Sequence, residues 1–356
     1  MSIPRHIPLR LCALCLALGL LAPSARAGVA NGGLPHASRS NPLAGMQWGV
    51  YTGPFYNSIY PEYAQARGRT RQLLGNIALR PLMFTFGDWF SDSSARSVAR
   101  DFIAVSTHGN PAVLSQATIF RLDPWEGAAC PNGSWNAANQ QSYKTWVDNF
   151  AAGIGSSRVA LIIQPDLPFA ECAHSSVPLQ LVNYAARKFN ALPHATVYVD
   201  GGARYFPSFT QAVSMLEGAG VRYMRGFSLN TSEYDTTSSE IEYGARLVQA
   251  LAKAGITGKH FVVNTAENGA GFLNGNYPGD VNHPRVCASS HDQLCVTLGI
   301  PPTTQVASPR WHLSGADASL ASRYVDAYVW AGRPWLGDSG QFERQRALGL
   351  ASSTPF

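Results

Sequence analysis

Two short apolar segments of the chain end at a carboxylate, and these two acids are the first candidates for chemistry. Val159–Ile163 is followed by Gln164-Pro165-Asp166, and Ala195–Val199 is followed directly by Asp200. Such runs, separated by a helical pattern, are typical of parallel strands, and residues just beyond the carboxyl ends of those strands line the site. Asp166 and Asp200 are therefore candidates for acid–base chemistry. The alternative is that each caps the helix that follows it.

Further polar and aromatic residues follow the other strand-like segments. The polar set is Asp88, Asp123, Glu126, Asp166, Asp200, Asn230, Asn264 and Asp338. The aromatic set is Trp89, Trp125, Tyr205, Phe206, Phe209, Tyr234, Trp330 and Trp335. Aromatic rings stack on the C–H faces of sugars, and glycosidic bonds are cleaved by a paired acid and base, so the combination favours a saccharide site. For any single ring, core packing is the alternative.

The elements that would position these residues alternate between strand and helix. The strand-like segments are Trp48–Tyr51, Leu82–Phe86, Val113–Phe120, Val159–Ile163, Thr196–Val199, Arg222–Phe227, Phe261–Val263 and Tyr324–Trp330. Helical spacing of apolar residues recurs between most of them, for example over Tyr143–Ile154 and residues 239–254. The pattern predicts an α/β fold in a single domain: a distorted, TIM-like parallel (β/α) barrel of seven to eight strands. An open doubly wound sheet is the alternative, but its glycine fingerprint is incomplete.

The N-terminus is typical of a secretory signal peptide. Arg5 and Arg10 precede an apolar stretch, Leu11–Leu21, and a small-x-small cleavage site at Ala25–Ala27. The stretch is too short to span a bilayer as a helix. We therefore expect residues 1–27 to be removed, residues 28–40 to form a disordered lead-in, and the protein to be secreted, either extracellular or periplasmic in a Gram-negative host.

The charge of the remaining chain argues against nucleic acid as a partner. Removing residues 1–27 takes away three arginines and no acid, which lowers the formal charge from +5 to +2. No cluster of Lys and Arg is present to neutralise phosphates. The composition instead suits an exported enzyme acting on a neutral polymer, and we expect a monomer that binds neither nucleic acid nor membrane and needs no cofactor.

Four cysteines remain after the signal peptide, and their even number in an exported chain suggests two disulfides. The spacing of Cys287 and Cys295 favours a local bridge, which leaves Cys130 with Cys172. A metal site is the rival interpretation, but no Cys-x-x-Cys or His-x-x-x-His spacing supports it. Serine hydrolysis is disfavoured as well, because Gly337-Asp338-Ser339-Gly340 is one residue short of the nucleophile motif.

Several motifs, taken in order, resemble those of glycoside hydrolase family 6, the inverting cellulases. The similar segments are Asn41–Gly45, Gly87–Trp89, Ile162–Asp166, Leu181–Gly202, Gly226–Asp235, Phe261–Gly269 and Val325–Trp330. Ile162–Asp166 is similar to the family's strand ending in Glu-Pro-Asp, whose Asp is the general acid. The resemblance covers nearly all of the mature chain, so it implies that residues 41–356 form a glycoside hydrolase catalytic domain.

The resemblance also implies roles for individual residues. Asp166 corresponds to the general acid, with Asp200 as its electrostatic partner. Asp338, eight residues beyond Trp330, falls where the family has the Asp proposed as base. The implied substrate is cellulose or a related β-glucan. Expected substrate contacts are Trp48, Trp89, Phe206, Phe209, Asn230, Tyr234, Trp330 and Arg333.

Departures from the family pattern leave a second class of function open. The family's Arg-Asp-Cys has no matching Asp before Cys130, so Glu126 or Asp123 would have to replace it. Positions that usually carry Lys and Glu are Gly332 and Leu336. The chain could therefore be a carbohydrate-binding pseudoenzyme, or a hydrolase redirected to another β-glucan.

Overall fold

The computed structural model describes residues 40–53, 59–122, 136–169, 175–337 and 340–356. Helices and strands alternate through these ranges. The helices are α1 Tyr60–Gln65, α2 Gly68–Ala78, α3 Ala95–Thr107, α4 Ala137–Ile154, α5 Val177–Asn190, α6 Phe209–Gly218, α7 Thr237–Lys253, α8 Gly315–Tyr324 and α9 Arg344–Ser353. The strands are β1 Phe84–Gly87, β2 Ser115–Phe120, β3 Val159–Ile163, β4 Ala195–Asp200, β5 Gly226–Leu229, β6 His260–Asn264 and β7 Val325–Val329. Short 3-10 turns lie at Val221–Tyr223, Asn274–Asn276 and Pro309–Trp311.

The seven strands form one parallel sheet in the order of the sequence, from β1 to β7. The sheet curls, and a parallel bridge between Leu82 and Trp330 links its first and last strands. The predicted barrel-like fold of seven to eight strands is confirmed, with helices between the strands on the outside. Since every strand runs the same way, the carboxyl ends of all seven meet at one edge of the sheet.

Alternation along the strands separates two apolar layers. In β3, Val159, Leu161 and Ile163 pack into the large outer core beneath the helices, whereas Ala160 and Ile162 face a smaller inner cluster. This period of two is the pattern expected of a strand that is buried on both faces. The apolar sides predicted for the helices at 143–154 and 239–254 are buried in α4 and α7.

One of the eight predicted strands is wrong. Trp48–Tyr51 contributes only a single bridge, from Trp48 to Leu114. Leu114 directly precedes β2, so Trp48 lies at the amino-end edge of the sheet, where its ring packs on the inner cluster and its Nε1 donates to the carbonyl of Leu43 over 3.2 Å. The apolar character of this segment comes from closing the lower end of the barrel.

The same lower region holds a buried ion pair inside the barrel. Arg225 donates from Nε to Asp326 over 2.8 Å and from a terminal nitrogen over 2.9 Å, and Tyr198 donates to the same carboxylate over 2.7 Å. Both charges are almost fully buried, and this two-pronged geometry offsets the cost of removing them from water. Asn41 donates to the backbone carbonyl of Asp326, which ties the start of the described chain to β7.

Cys287 and Cys295 form the predicted local disulfide, with Cα atoms 5.0 Å apart. Cys130 and Cys172 lie outside the described residues. Within the ranges given above, no helix is long and apolar enough to cross a lipid bilayer.

Candidate active site

Carboxylates and amides gather at the edge where the seven strands end. Asp166 follows β3, and Asp200 is the last residue of β4. Asn230 and Glu233 follow β5. Asn264 is the last residue of β6, and Glu267 follows it. Two of these acids, Asp166 and Asp200, were predicted from strand ends alone. The fold therefore brings the predicted pair to one side of the molecule.

An unusual turn holds Asp166. Gln164 and Asp166 both have positive φ, at 55° and 61°, which non-glycine residues adopt only at some cost. The buried Gln164 side chain accepts from the amide of Leu122 over 3.1 Å and so ties the end of β3 to the end of β2. Because this strained turn is hydrogen-bonded to the neighbouring strand, it fixes the direction of the Asp166 carboxyl.

Asp166 itself is half-buried, and burial raises the pKa of its carboxyl, whereas a hydrogen bond from the Ser232 side chain lowers it. The net direction is upward. A carboxyl with a raised pKa keeps its proton to higher pH, which a general acid requires.

Asp200 is only 1% exposed. Burial raises its pKa to about 8, with smaller upward contributions from the charges of Asp166 and Glu233. The hydroxyl of Ser228 lies 3.3 Å from one carboxylate oxygen and in turn accepts from Thr231 over 2.9 Å. In the free protein Asp200 therefore carries a proton at neutral pH, so it does not present a permanent negative charge to Asp166.

Glu233 was not predicted, yet it lies beside these acids. Tyr205 donates to its Oε2 over 2.5 Å, and Asn274 donates to the same oxygen over 2.7 Å. Burial raises the pKa of Glu233 to about 7, these two hydrogen bonds lower it, and the charge of Asp166 raises it. Among the described residues, no Lys, Arg or His lies within 4 Å of this carboxylate.

Glu267 is the second unpredicted acid. Its Oε1 occupies the space that a side chain would take at Gly332, in the loop after β7. Burial raises the pKa of Glu267 to about 7, while the charge of Arg346 and a long hydrogen bond from Asn264 lower it. The charges of Glu233 and Asp166 raise the pKa of Glu267 further. Asp166, Asp200, Glu233 and Glu267 therefore form one coupled group.

Two asparagines fix the backbone beneath this group. Asn264 donates to the carbonyl of Asn230 over 2.9 Å and accepts from the amide of Ala331 over 3.0 Å. Asn230 accepts from the amide of Asp235 over 2.9 Å and is fully buried. The Asn230 amide thus joins the ends of β5 and β6, and the predicted substrate contact at this residue stays a prediction.

The predicted aromatic contacts divide by position. Phe206 is half-buried and its ring lies 5.2 Å from that of Phe169, which is 42% exposed and comes three residues after Asp166. Trp89 follows β1 and is also 42% exposed. These rings are accessible at the edge that carries the acids, so they remain candidate sugar platforms. Phe169 was missed because it lies outside the segments that resemble the family.

Three other predicted aromatic contacts differ from these rings in burial or location. Trp330 is 1% exposed and donates from Nε1 to the carbonyl of Ile300. Phe209 begins α6 and packs edge-on against Tyr243 of α7. Trp48 lies at the opposite edge of the sheet. Trp330 and Trp48 pack within the fold, and the half-buried Phe209 ring lies beneath Arg246. Substrate contact at these three positions stays a prediction.

Tyr234 and Arg333 are the last two predicted substrate contacts among the described residues. Tyr234 is 8% exposed, stacks on Phe272 with ring centres 5.0 Å apart, and donates to the carbonyl of Val281 over 2.8 Å. Arg333 is half-buried in the loop after β7. Asp123, Glu126 and Asp338 lie outside the described residues, so their predicted roles stay predictions.

The two missed glutamates obey the rule that found Asp166 and Asp200. Glu233 comes four residues after β5 and Glu267 three residues after β6. Applying the strand-end rule to every strand would have found both. Within the described ranges, no group of three His, Cys, Asp or Glu residues is arranged to hold a metal ion.

A curled parallel barrel with buried carboxyls and exposed aromatic rings at its carboxyl edge defines a class of protein, the carbohydrate-active (β/α) barrels. Residues 50–341 match the model of the glycosyl hydrolases family 6. The chain belongs to this family.

Curated relatives are bacterial endoglucanases. Endoglucanase A of Cellulomonas fimi is 31% identical over 227 residues, which cover 63% of this chain and 47% of the relative. Endoglucanase 1 of Streptomyces halstedii is 31% identical over 251 residues, which cover 67% of this chain and 74% of the relative. The chain thus matches about half the length of the Cellulomonas protein.

Solved structures share the fold. The endoglucanase Cel6 from Mycobacterium tuberculosis, in complex with methyl-cellobiosyl-4-deoxy-4-thio-β-D-cellobioside, has a TM-score of 0.67 and 27% identity over 87% of this chain and 98% of that chain. The catalytic core of the cellobiohydrolase Cel6A from Chaetomium thermophilum has a TM-score of 0.63 and 18% identity, covering 90% and 100%. The second likeness shows the fold alone.

Proposed function

We propose that this chain hydrolyses β-1,4-glucosidic bonds of cellulose or a related β-glucan by single-displacement inversion, with Asp166 as general acid. The observation that carries the proposal is the Asp166 carboxyl, held on a pinned turn at the carboxyl edge of the barrel with a raised pKa. Family membership and the endoglucanase relatives support the reaction class.

Asp200 would act as a partner that shares a proton with Asp166. Its pKa of about 8 means that the pair holds at least one proton at neutral pH. When a glucan fills the cleft and excludes water, the proton can lie on Asp166, and the ionised Asp200 then stabilises positive charge on the sugar ring. Asp166 thus becomes the protonated acid and Asp200 the ionised one when substrate is bound.

Asp338 is proposed as the base that activates water on the opposite face of the sugar. This assignment rests on the family resemblance. An inverting pair is separated by about 6.5–9.5 Å, which leaves room for the attacking water. Glu126 or Asp123 would replace the acid that the family carries before Cys130.

The test is Asp166→Asn, which retains the shape of the side chain but cannot donate an acidic proton. We expect hydrolysis of unactivated cellulose to fall at least about a hundredfold, the usual contribution of a general acid, with an unchanged circular dichroism spectrum. Asp101→Asn on α3, an exposed acid paired with Arg100, is the matched control. Near-normal turnover by Asp166→Asn would contradict the assignment.

A second candidate function is a carbohydrate-binding pseudoenzyme or a hydrolase redirected to another β-glucan. The observation that favours it is Glu267, which fills the space at Gly332 where family members usually carry Lys. A reducing-sugar assay on cellulose, mixed-linkage glucan and laminarin separates the possibilities. Binding without release from any of the three would favour the pseudoenzyme, and release from only one of the latter two would favour redirection.

We also propose that the protein is exported and that residues 1–27 are removed. The supporting features are the basic, apolar and small-residue segments of the N-terminus. N-terminal sequencing of the exported protein should begin at Gly28. A mature form that retained residues 1–27 would contradict the proposal.

A further inference from the structure

A cavity of about 810 Å³ opens beside the candidate active site. Its wall includes Asp235 and Thr236 from the loop after β5, the segment Asn268–Leu273 from the loop after β6, and the start of α7. These elements place it on the carboxyl-end side of the barrel. None of Asp166, Asp200, Glu233 and Glu267 lines it.

Residues of the cavity wall adjoin, along the chain, two residues that hydrogen-bond to one of these acids. Arg204 lines the cavity, and the next residue, Tyr205, donates to Glu233. Asn274, which also donates to Glu233, lies between the wall residues Leu273 and Asn276. A polymer chain bound in the cavity would therefore lie next to the site of cleavage.

The acidic groups in the cavity wall already have cationic partners. Arg204 and Asp235 form an ion pair of 2.8 Å, and Asp292 accepts from Arg285 over 2.7 Å. The other polar groups in the wall include the Ser238 hydroxyl and the Asn276 amide. The Ser239 hydroxyl accepts from Thr236 over 2.8 Å and can still donate to a ligand. Paired charges beside hydroxyl and amide groups favour a neutral, hydroxyl-rich ligand over an ionic one.

Aromatic rings complete the wall. Trp311 is half-buried, and its ring lies 6.2 Å from that of Phe356 in an edge-on arrangement. Its Nε1 donates to the carbonyl of Gln305 over 2.7 Å, which fixes the orientation of the ring. Arg310 lies over one face of this indole, 5.6 Å from its centroid. The rest of the fixed ring, beside hydroxyl and amide groups, offers a pyranose an apolar contact for its C–H face and polar partners for its edge.

One rim of the cavity is held in place covalently. Residues Ser290–Leu294 line it and lie within the loop closed by the Cys287–Cys295 disulfide. The ends of this loop also pair through the backbone, from the amide of Cys287 to the carbonyl of Val296 over 3.0 Å. A rim that is already ordered loses little conformational entropy when a ligand binds.

We propose that this cavity is a second binding site for glucosyl units of a β-glucan chain, next to but outside the catalytic cleft. The identity of the ligand rests on the proposed function. The site holds the polymer beside the acids, so it contributes to retention on long or insoluble substrate. A short oligosaccharide that fills only the cleft does not use it.

The experiment compares adsorption to insoluble cellulose with hydrolysis of soluble cellotetraose. Trp311→Ala should lower the adsorption constant about three- to tenfold, the size expected for loss of one aromatic stacking contact. Trp311→Phe should retain most of the adsorption. Tyr324→Ala is the matched control, because Tyr324 is also half-buried beneath an arginine but directly precedes β7 at the opposite edge of the sheet. Circular dichroism and thermal unfolding establish that each variant is folded.

The outcomes separate the two proposals. If folded Trp311→Ala adsorbs as well as the wild type, the proposal of a second binding site is wrong. It is also wrong if Tyr324→Ala loses adsorption to the same extent. A loss of cellotetraose hydrolysis in proportion to adsorption would also overturn it, because the cavity would then belong to the cleft. If the wild type cleaves neither substrate, the proposed function fails, and the adsorption comparison still decides on the cavity.

Discussion

Glu267 places its carboxylate in the space that a side chain would occupy at Gly332, so the loops after β6 and β7 meet at a buried acid. The charge of Arg346 lowers the pKa of Glu267, but no salt bridge within 4 Å joins the two side chains. The Glu267 carboxylate therefore lies against Gly332 with no salt bridge to any described Lys, Arg or His.

Glu267→Gln should change how stability depends on pH. Burial raises the pKa of Glu267 from 4.5 to about 7 in the folded protein, so the folded state binds the proton more tightly than the unfolded state does. This contribution to stability is complete below about pH 4.5 and is lost as pH rises towards 7. Its loss amounts to about 3 kcal/mol. Glu267→Gln should remove that decline.

Denaturant unfolding of both proteins between pH 4 and 8 measures the effect. Glu62→Gln on α1 should keep the pH dependence of the wild type. A Glu267→Gln profile parallel to that of the wild type would refute the burial-driven shift at this position.

Asp200→Asn should move the basic limb of the pH profile of kcat/KM. In the wild type we expect activity to fall as the last proton leaves the Asp166–Asp200 pair, near pH 8. With asparagine at position 200, the last proton to leave is that of Asp166 alone, with no second carboxyl to share it, so the limb should shift to lower pH. Initial rates on cellotetraose between pH 4 and 10 measure it, and a limb that stays in place would argue against proton sharing.

Tyr205→Phe should destabilise the protein most at high pH. The lost hydrogen bond stabilises the ionised form of Glu233, whose pKa is about 7. Hydrogen bonds to charged groups contribute about 1.5–3 kcal/mol, so a loss of this size is expected above pH 7 and a smaller loss below it. Tyr324→Phe, at the other edge of the sheet, is the control. Equal losses at pH 5 and pH 9 would mean that Glu233 is not the group affected.

Sequence patterns were sufficient for the sheet and for two of its acids, because these depend on local periodicity. Val159–Ile163 and Ala195–Val199 are buried on both faces. An acid follows each segment, Asp166 after the first and Asp200 after the second. The same reasoning wrongly predicted a strand at Trp48, because a segment that closes the lower end of a barrel is as apolar as a strand. Phe209 shows a second limit: its partner Tyr243 lies on a different helix, and no local pattern reveals that contact.

The coupling among the acids could not be read from spacing. Glu233 and Glu267 interact with Asp166 because the loops after β5 and β6 bring them to the same edge of the sheet, and their pKa values follow from burial. Asn230 and Trp330 were assigned to substrate from the family pattern. Their burial depends on the packing of neighbouring strands and loops.

The most direct test of the central claim is the stereochemistry of the first product. A proton NMR time course of cellotetraose hydrolysis by the wild type records which anomer of the new reducing end forms before mutarotation. Single-displacement inversion at a β-linkage predicts that the α-anomer accumulates first. Initial accumulation of the β-anomer would contradict the account.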